Sequence, residues 1–381
     1  FDDIPQIVEN YSIRSLSNWV DIVRGQRGVA MLSFAINYAI GGLNVVGYHI
    51  VNLAIHITNG ILVYFLLFLT INRIDSLKPK AKKVALYTAL LFAVHPIQTQ
   101  AVTYIVQRME MLASMFMLIG LLLFIKGTEV TKMPVKALFY GAVAISYILG
   151  FYSKEIAIIL PAIIFLYDYC FLAEGSLKKL IPRLPIYIII AGILGFLAAP
   201  TFTGLQETPG GAGGSAGFNV QSITSKEYLF TQFNVLIYYI TLLFVPINQN
   251  LDYDFPISKG LFEVPVVKEG TVLNIPIPPP IVSLISILAI IGFAIYFLLK
   301  RGTDNSHGAR PLIAFFILWF FIILSPTSSF VPIIDVMFEH RLYLASVGFF
   351  VLFSLAFDRL FERNARCNPH PLERGQGELC Q

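Results

Sequence analysis

Long unbroken apolar stretches alternate with short polar links along this chain. Runs near the roughly 20 residues that a bilayer core demands lie at 48–72, 84–96, 101–125, 137–153, 156–172, 185–203, 281–299, 311–328 and 342–358. They predict nine membrane-spanning helices. Two are short, 84–96 and 137–153, and polar residues follow each closely, which predicts a thinned, water-accessible hollow at one face. A tenth apolar stretch, 228–247, would reverse the side of every later link if it crossed, so it is expected as a re-entrant or interfacial helix. Around it, the Gly-rich run Pro209 to Gly217 reads as a flexible tether, and Pro276, Pro278, Pro279 and Pro280 read as a stiff extended lead into the next span. No internal repeat is visible.

Composition agrees and narrows the class. With 56% hydrophobic and only 13% charged residues, the chain carries more apolar surface than one soluble core hides, which excludes a water-soluble enzyme. The net charge of +4 is a topology signal. When the links are assigned alternately to two faces, those at 73–83, 126–136, 173–184 and 300–310 and the tail from Arg359 hold eighteen of the 27 basic residues. The positive-inside rule puts that face in the cytoplasm, and nucleic acid is set aside as a partner. Cys170, Cys367 and Cys380 have no metal-site spacing. The chain opens on Phe1 with no basic-then-apolar signal ahead of Asp2, so a first membrane helix is expected to precede it. The expected architecture is an all-α polytopic membrane protein with one domain over 1–358. Within it, 1–47 forms a first outer loop with interfacial helices and 204–280 a long outer loop; 359–381 is a cytoplasmic tail.

Charges in or beside a span are costly, so each is a functional candidate by default. Asp2 and Asp3 open the chain on the outer side, where paired carboxylates activate a hydroxyl, bind a metal or simply cap a helix. Arg24 and Arg27 precede the first visible span, placed to hold an anionic head group or to snorkel. His49, Asn52 and His56 share one helical face and read equally as a cavity lining or as packing glue. His95 ends a short span; Gln98, Thr99, Gln100, Arg108 and Glu110 follow. An Arg108 buried at that depth is expected to need a carboxylate or phosphate partner, and Glu110 is too close in sequence to supply it. Lys154 and Glu155 sit in a tight turn that reads alternatively as a self-neutralising hairpin. Asp252 and Asp254 lie in the acidic, aromatic segment NQNLDYDFP, and Asp335, Glu339, His340 and Arg341 cluster just before the final span.

All these groups converge on the non-cytoplasmic face. A transporter would instead place polar groups near the midplane, with broken helices and a repeat, whereas spans 281–299 and 342–357 are almost wholly apolar at their centres. A carboxylate base, phosphate-binding cations and a lipid-facing cleft match glycosyl transfer from a polyprenyl-phosphate sugar.

The ordered motifs FDD, YHIVNLAIH, HPIQTQAVTYIVQR, YSKEIAIILPAIIFLYD, PINQNLDYDFP and EHRLYLASVGF resemble the bacterial relatives of the transmembrane and tetratricopeptide-repeat O-mannosyltransferases, members of the GT-C superfamily. The resemblance runs from Phe1 to about Phe357. It implies a GT-C helical bundle in which Asp2 or Asp3 is the catalytic carboxylate and Arg341, His340, Lys154 and Arg108 hold the donor phosphate. Arg27, His49, His95, Gln100, Glu155, Asp252, Asp254 and Glu339 would line the cleft. The implied reaction is inverting transfer of a mannose-like hexose from a polyprenyl phosphate to a protein hydroxyl, at the periplasmic face of a bacterial inner membrane. Transfer to a lipid or glycan, or lipid-linked glycan transport without chemistry, are the alternatives. No metal ligand set is expected, and a divalent cation is left open. The chain departs from the family pattern at Arg27, Gly28 and Val29, where relatives often have Arg-Pro-Leu. It departs again at Gln100, where many have Glu and where a neutral amide supplies neither a second base nor a strong metal ligand. The tetratricopeptide repeats that follow in many relatives are not seen in this sequence.

Overall fold

The computed structural model describes residues 2–202, 217, 218, 220, 222–268, 271, 273, 275–300 and 309–367, without the side chains of 194, 196–202 and 362–367. Among these residues no strand occurs. The helices are α1 (Trp19–Arg24), α2 (Gly28–Gly41), α3 (Val45–Ile71), α4 (Ala81–Val94), α5 (Thr99–Thr103), α6 (Arg108–Glu129), α7 (Met133–Phe151), α8 (Leu160–Tyr167), α9 (Leu184–Phe202), α10 (Ser225–Phe244), α11 (Pro280–Leu299), α12 (Arg310–Leu324) and α13 (Leu342–Cys367). Six helical stretches among the described residues are long and apolar enough to cross a bilayer: Val45–Ile71, Ile105–Glu129, Met133–Phe151, Glu155–Leu172, Pro280–Leu299 and Glu339–Phe361. Each of the nine expected spans corresponds to a helix, but α4, with 14 residues, and α12, with 15, are shorter than the bilayer core demands. α9 is only partly described.

Local chemistry sets the boundaries. Proline stands in the first turn of α7, α8, α11 and α12, where its missing N–H costs nothing. The extended backbone of Pro279 leads directly into α11, in line with the stiff lead expected there. α3 opens on Asn44, whose side-chain oxygen accepts from Val46 N–H at 3.1 Å. The stretch expected as a re-entrant helix is α10, opened by a Thr224–Glu227 capping box. It packs against α11 and α13 through a face that includes buried Thr231, Gln232 and Asn234. Most of the Gly-rich run lies outside the described residues. The tail expected from residue 359 begins as a continuation of α13, which runs as far as Cys367.

The core is built from α3, α4, α6 and α13, with α12 and α7 packed outside them. Gly348 lets α12 and α13 approach closely: a Cβ there would lie 2.4 Å from Phe316 O. The polar stripe on α3 resolves into packing for its inner members. His56 donates from Nε2 to Ala93 O at 3.1 Å and receives the Tyr343 hydroxyl at Nδ1, 2.9 Å away. Asn59 Nδ2 donates to Met111 O and to Tyr343 Oη, at 2.9 and 3.0 Å. At one end of the bundle, buried Asp358 pairs with Lys80 at 2.9 Å and Lys83 at 2.7 Å, joining the 73–83 link to the end of α13. The links at 95–104, 152–155 and 331–341 gather at the opposite end.

Candidate active site

The acidic pair at the chain start is docked onto an irregular stretch of backbone. α5 stops at Thr103, Tyr104 is extended, and Ile105–Gln107 form a 3₁₀ turn before α6 begins. That interruption frees main-chain donors from the helical ladder. Val106 N–H donates to Asp3 Oδ1 at 2.8 Å, and Asp2 N–H donates to the Tyr104 hydroxyl, also at 2.8 Å. Burial pushes the Asp3 carboxyl above the usual aspartate range; the Val106 bond opposes this and the neighbouring Asp2 charge adds to it. Burial likewise pushes the Tyr104 phenol up to about 12. Exposed His49 lies within electrostatic reach of Asp3.

Gln100, on α5, joins the same stretch to the 3₁₀ turn Glu339–Arg341, whose three side chains are all buried. Gln100 Oε1 accepts both His340 N–H at 2.6 Å and His340 Nδ1–H at 3.0 Å, while its Nε2 donates to Leu251 O at 2.7 Å. Glu339 accepts from Gln249 Nε2 at 2.7 Å, Asn250 N–H at 3.2 Å and the Tyr253 hydroxyl. The segment NQNLDYDFP is thus folded over Glu339 and Gln100. Burial, reinforced by Glu339, pushes the Tyr253 hydroxyl above its ordinary value. Arg341 donates to Asp335 O at 2.7 Å and Val336 O at 3.1 Å, and its guanidinium lies 5.6 Å from the Phe338 ring centre. His340 is within electrostatic reach of Lys154, Arg341 and Arg27.

Asp335 lies just ahead of that turn, and Arg341 donates to its main-chain oxygen. Partial burial raises its carboxyl above the usual range; Asp252 and Asp2 add to the shift, and Arg341 opposes it.

The ion pairs differ from the hairpin reading. Lys154 and Glu155 do not neutralise each other. Lys154 Nζ pairs with buried Glu110 at 2.9 Å and meets Gln107 Oε1 at 3.3 Å, whereas Glu155 receives Arg27 Nε at 3.1 and 3.2 Å and Arg27 Nη2 at 3.1 Å. The extended backbone of Lys154 turns the two side chains to different neighbours. Arg27 itself holds a left-handed conformation, φ 55°, before α2. Gly28 follows because a Cβ there would lie 2.2 Å from Val23 O.

Arg108 corrects a second expectation. It is fully buried, yet its partners are neutral: Nε donates to Asn52 Oδ1 at 2.7 Å, Nη1 to Asn37 Oδ1 at 2.6 Å and Ser33 O at 3.2 Å, and Nη2 to Tyr48 O at 3.0 Å. The guanidinium also lies 4.6 Å from the Phe34 ring centre. Carbonyl and amide oxygens from α2 and α3 stand where a carboxylate partner was expected, and through them Arg108 joins α6 to α2 and α3. Asp254 is exposed and pairs with Lys268 at 2.6 Å. His95 accepts from Ile97 N–H at 3.2 Å and packs against Phe350; burial lowers its basicity. No group of three His, Cys, Asp or Glu side chains fit to hold a metal occurs among the described residues.

Tyr104, Val106, Gln249, Asn250 and Tyr253 were not singled out by sequence reasoning. The tyrosines stand in motifs already distinctive, but a main-chain donor such as Val106 leaves no mark in composition.

No family model matches this chain, and no solved structure matches it. It is similar to a protein O-mannosyl-transferase of Caenorhabditis elegans, 25% identical over 343 residues, 88% of this chain and 43% of that protein. It is also similar to protein O-mannosyl-transferase TMTC3 of Homo sapiens, 26% identical over 352 residues, 88% of this chain and 36% of the relative. Protein O-mannosyl-transferase TMTC2 of Homo sapiens is 36% identical over 110 residues, 27% of this chain and 11% of that protein. The chain spans less than half the length of these relatives. Over most of its length it is thus related in sequence to proteins that carry the name protein O-mannosyl-transferase.

Proposed function

We propose that the chain is a GT-C-type membrane glycosyltransferase that moves a mannose-like hexose from a polyprenyl phosphate to a Ser or Thr hydroxyl of a protein. The reaction takes place at the non-cytoplasmic face, periplasmic in a bacterium. The acceptor oxygen attacks the anomeric carbon, and the bond from that carbon to the phosphate oxygen breaks with inversion. Asp3 takes the hydroxyl proton and polyprenyl phosphate departs. With one oxygen fixed by Val106, Asp3 keeps the other for the hydroxyl, and its raised pKa makes it a stronger base than an ordinary aspartate. Arg341, held by the main-chain carbonyls of Asp335 and Val336, offsets charge on the leaving phosphate, while Lys154 and Arg27 are engaged with Glu110 and Glu155. Arg108 has its donors turned to neutral oxygens and serves the site by holding α6 in place.

The observation that supports this reading is that residues 100–106 hold both groups: Gln100 accepts from His340, next to Arg341, while Tyr104 and Val106 bond Asp2 and Asp3. The proposed proton acceptor and phosphate ligand are far apart in sequence and are tied to one short stretch of backbone. The names of the relatives supply the sugar and acceptor class. The test uses the full protein in membranes with labelled polyprenyl-phosphate mannose and a Ser/Thr-rich peptide. Label is expected on the peptide, and Asp3→Asn is expected to slow transfer by at least about 10²-fold. Normal transfer by both Asp2→Asn and Asp3→Asn overturns the assignment.

A further inference from the structure

A cavity of about 490 Å³ opens between α7 and the start of α9, at the end of the bundle where the 73–83 link meets the end of α13 and away from the site above. Its walls are mostly apolar, formed by Met133, Ala144, Pro182, Ile186 and Ile189 among others, and Lys136 and Arg183 also line it. Tyr140 lines it too, and its hydroxyl is buried without a hydrogen-bond partner. A buried phenol left unpaired is costly; Asp168 Oδ1, within electrostatic reach of it, is likewise unpartnered. Arg183 spends Nε on buried Asp168 at 2.7 Å, which fixes its guanidinium at the cavity. Lys136 lies over the Tyr140 ring at 6.0 Å. Lys132 immediately precedes α7, and Lys178 and Lys179 stand on the link that leads to Arg183, where Lys179 pairs with Glu174.

A mostly apolar cavity bordered by two cations has the chemistry to hold a phospholipid with an anionic head. We propose that this cavity binds such a lipid in the leaflet on the basic side. Lys136 and Arg183 meet its phosphate, and an acyl chain lies between α7 and α9. Cations near a membrane surface attract anionic lipid, while the apolar walls exclude a free, strongly hydrated phosphate. Because the lipid wedges two neighbouring helices, it joins α9 to the bundle. The inference does not depend on glycosyl transfer.

Native mass spectrometry of the full protein, delipidated and then incubated with phosphatidylglycerol or phosphatidylcholine of the same chains, tests this. Phosphatidylglycerol is expected to be retained in preference, and Lys136→Glu to reduce its retention by at least about fivefold, the share of one cation at a membrane surface. Gly141 lines the cavity, and a Cβ there meets nothing within 4 Å. Gly141→Phe therefore fills the cavity without backbone conflict and is expected to reduce retention of phosphatidylglycerol. Gly292→Phe, on α11 in similarly open space, is expected to leave it unchanged and controls for folding. Equal retention of the two lipids, unchanged retention in Gly141→Phe, or displacement of the lipid by inorganic phosphate alone would each overturn the proposal.

Discussion

The backbone amide of Val106 points at Asp3 Oδ1 from 2.8 Å, so the start of the chain is aimed by a break in the helix more than one hundred residues away. Burial raises the Asp3 pKa despite that bond. The sign of the consequence is fixed: a base must be unprotonated, so activity falls as pH drops through the raised value. The acid limb of kcat/KM is expected above the ordinary aspartate range, near 3.9. Because Asp335 is also raised, Asp335→Asn should leave the limb in place while Asp3→Asn removes it along with most of the rate. A limb at or below the ordinary range would take the proton away from Asp3.

Arg341 has carbonyl partners at 2.7 and 3.1 Å and is the proposed phosphate ligand. Replacing it by Lys keeps the charge but loses the planar fork that grips a phosphate through two donors. Arg341→Lys is expected to raise the KM for the prenyl donor or cut kcat by about tenfold, the share of one charge-assisted hydrogen bond. Arg341→Gln should be worse. Donor titrations at fixed peptide concentration measure both, and unchanged kinetics would remove Arg341 from the phosphate site.

Gln100 reaches in two directions, accepting from His340 and donating to Leu251. Gln100→Glu keeps the acceptor but sets a carboxylate oxygen against a carbonyl, since Glu has no second donor when ionised. The variant is expected to lose about 1–3 kcal/mol of stability and to loosen the 248–256 segment over Glu339. Thermal unfolding together with hydrogen exchange of the Leu251 to Asp254 amides would detect this. An unchanged melting temperature and unchanged exchange would show that the amide is not needed there.

Much of the fold is legible from apolar runs alone, because a lipid-facing helix advertises itself by length and lack of charge. The runs at 48–72 and 101–125 correspond to α3 and to Ile105–Glu129 within a few residues. α4 and α12 were harder, since an apolar run does not say where a helix stops short of the bilayer thickness. In the site, clustering by side singled out the residues that the fold brings together at one end, yet partner choice stayed hidden. Lys154 and Glu155 are adjacent and opposite in charge, and only the backbone direction at residue 154 sends them to Glu110 and Arg27. Arg108 looked like an unmet charge because Asn37, Ser33 and the Tyr48 carbonyl carry no formal charge to count.

That last arrangement separates a clamp from a phosphate ligand. Removing the Arg108 guanidinium leaves the oxygens of Asn37, Asn52, Ser33 and Tyr48 without their donor. Each unpaired buried acceptor costs about 1–3 kcal/mol. Arg108→Ala is therefore expected to lower the melting temperature sharply and to reduce activity only in step with the folded fraction. Arg108→Lys, whose single ammonium cannot span acceptors on two helices, should fall in between. Melting curves and donor KM measured on the folded fraction decide the matter: a stable Arg108→Lys variant with a raised donor KM would return Arg108 to the phosphate site. Loss of stability with an unaltered KM assigns it to the α2–α3–α6 junction.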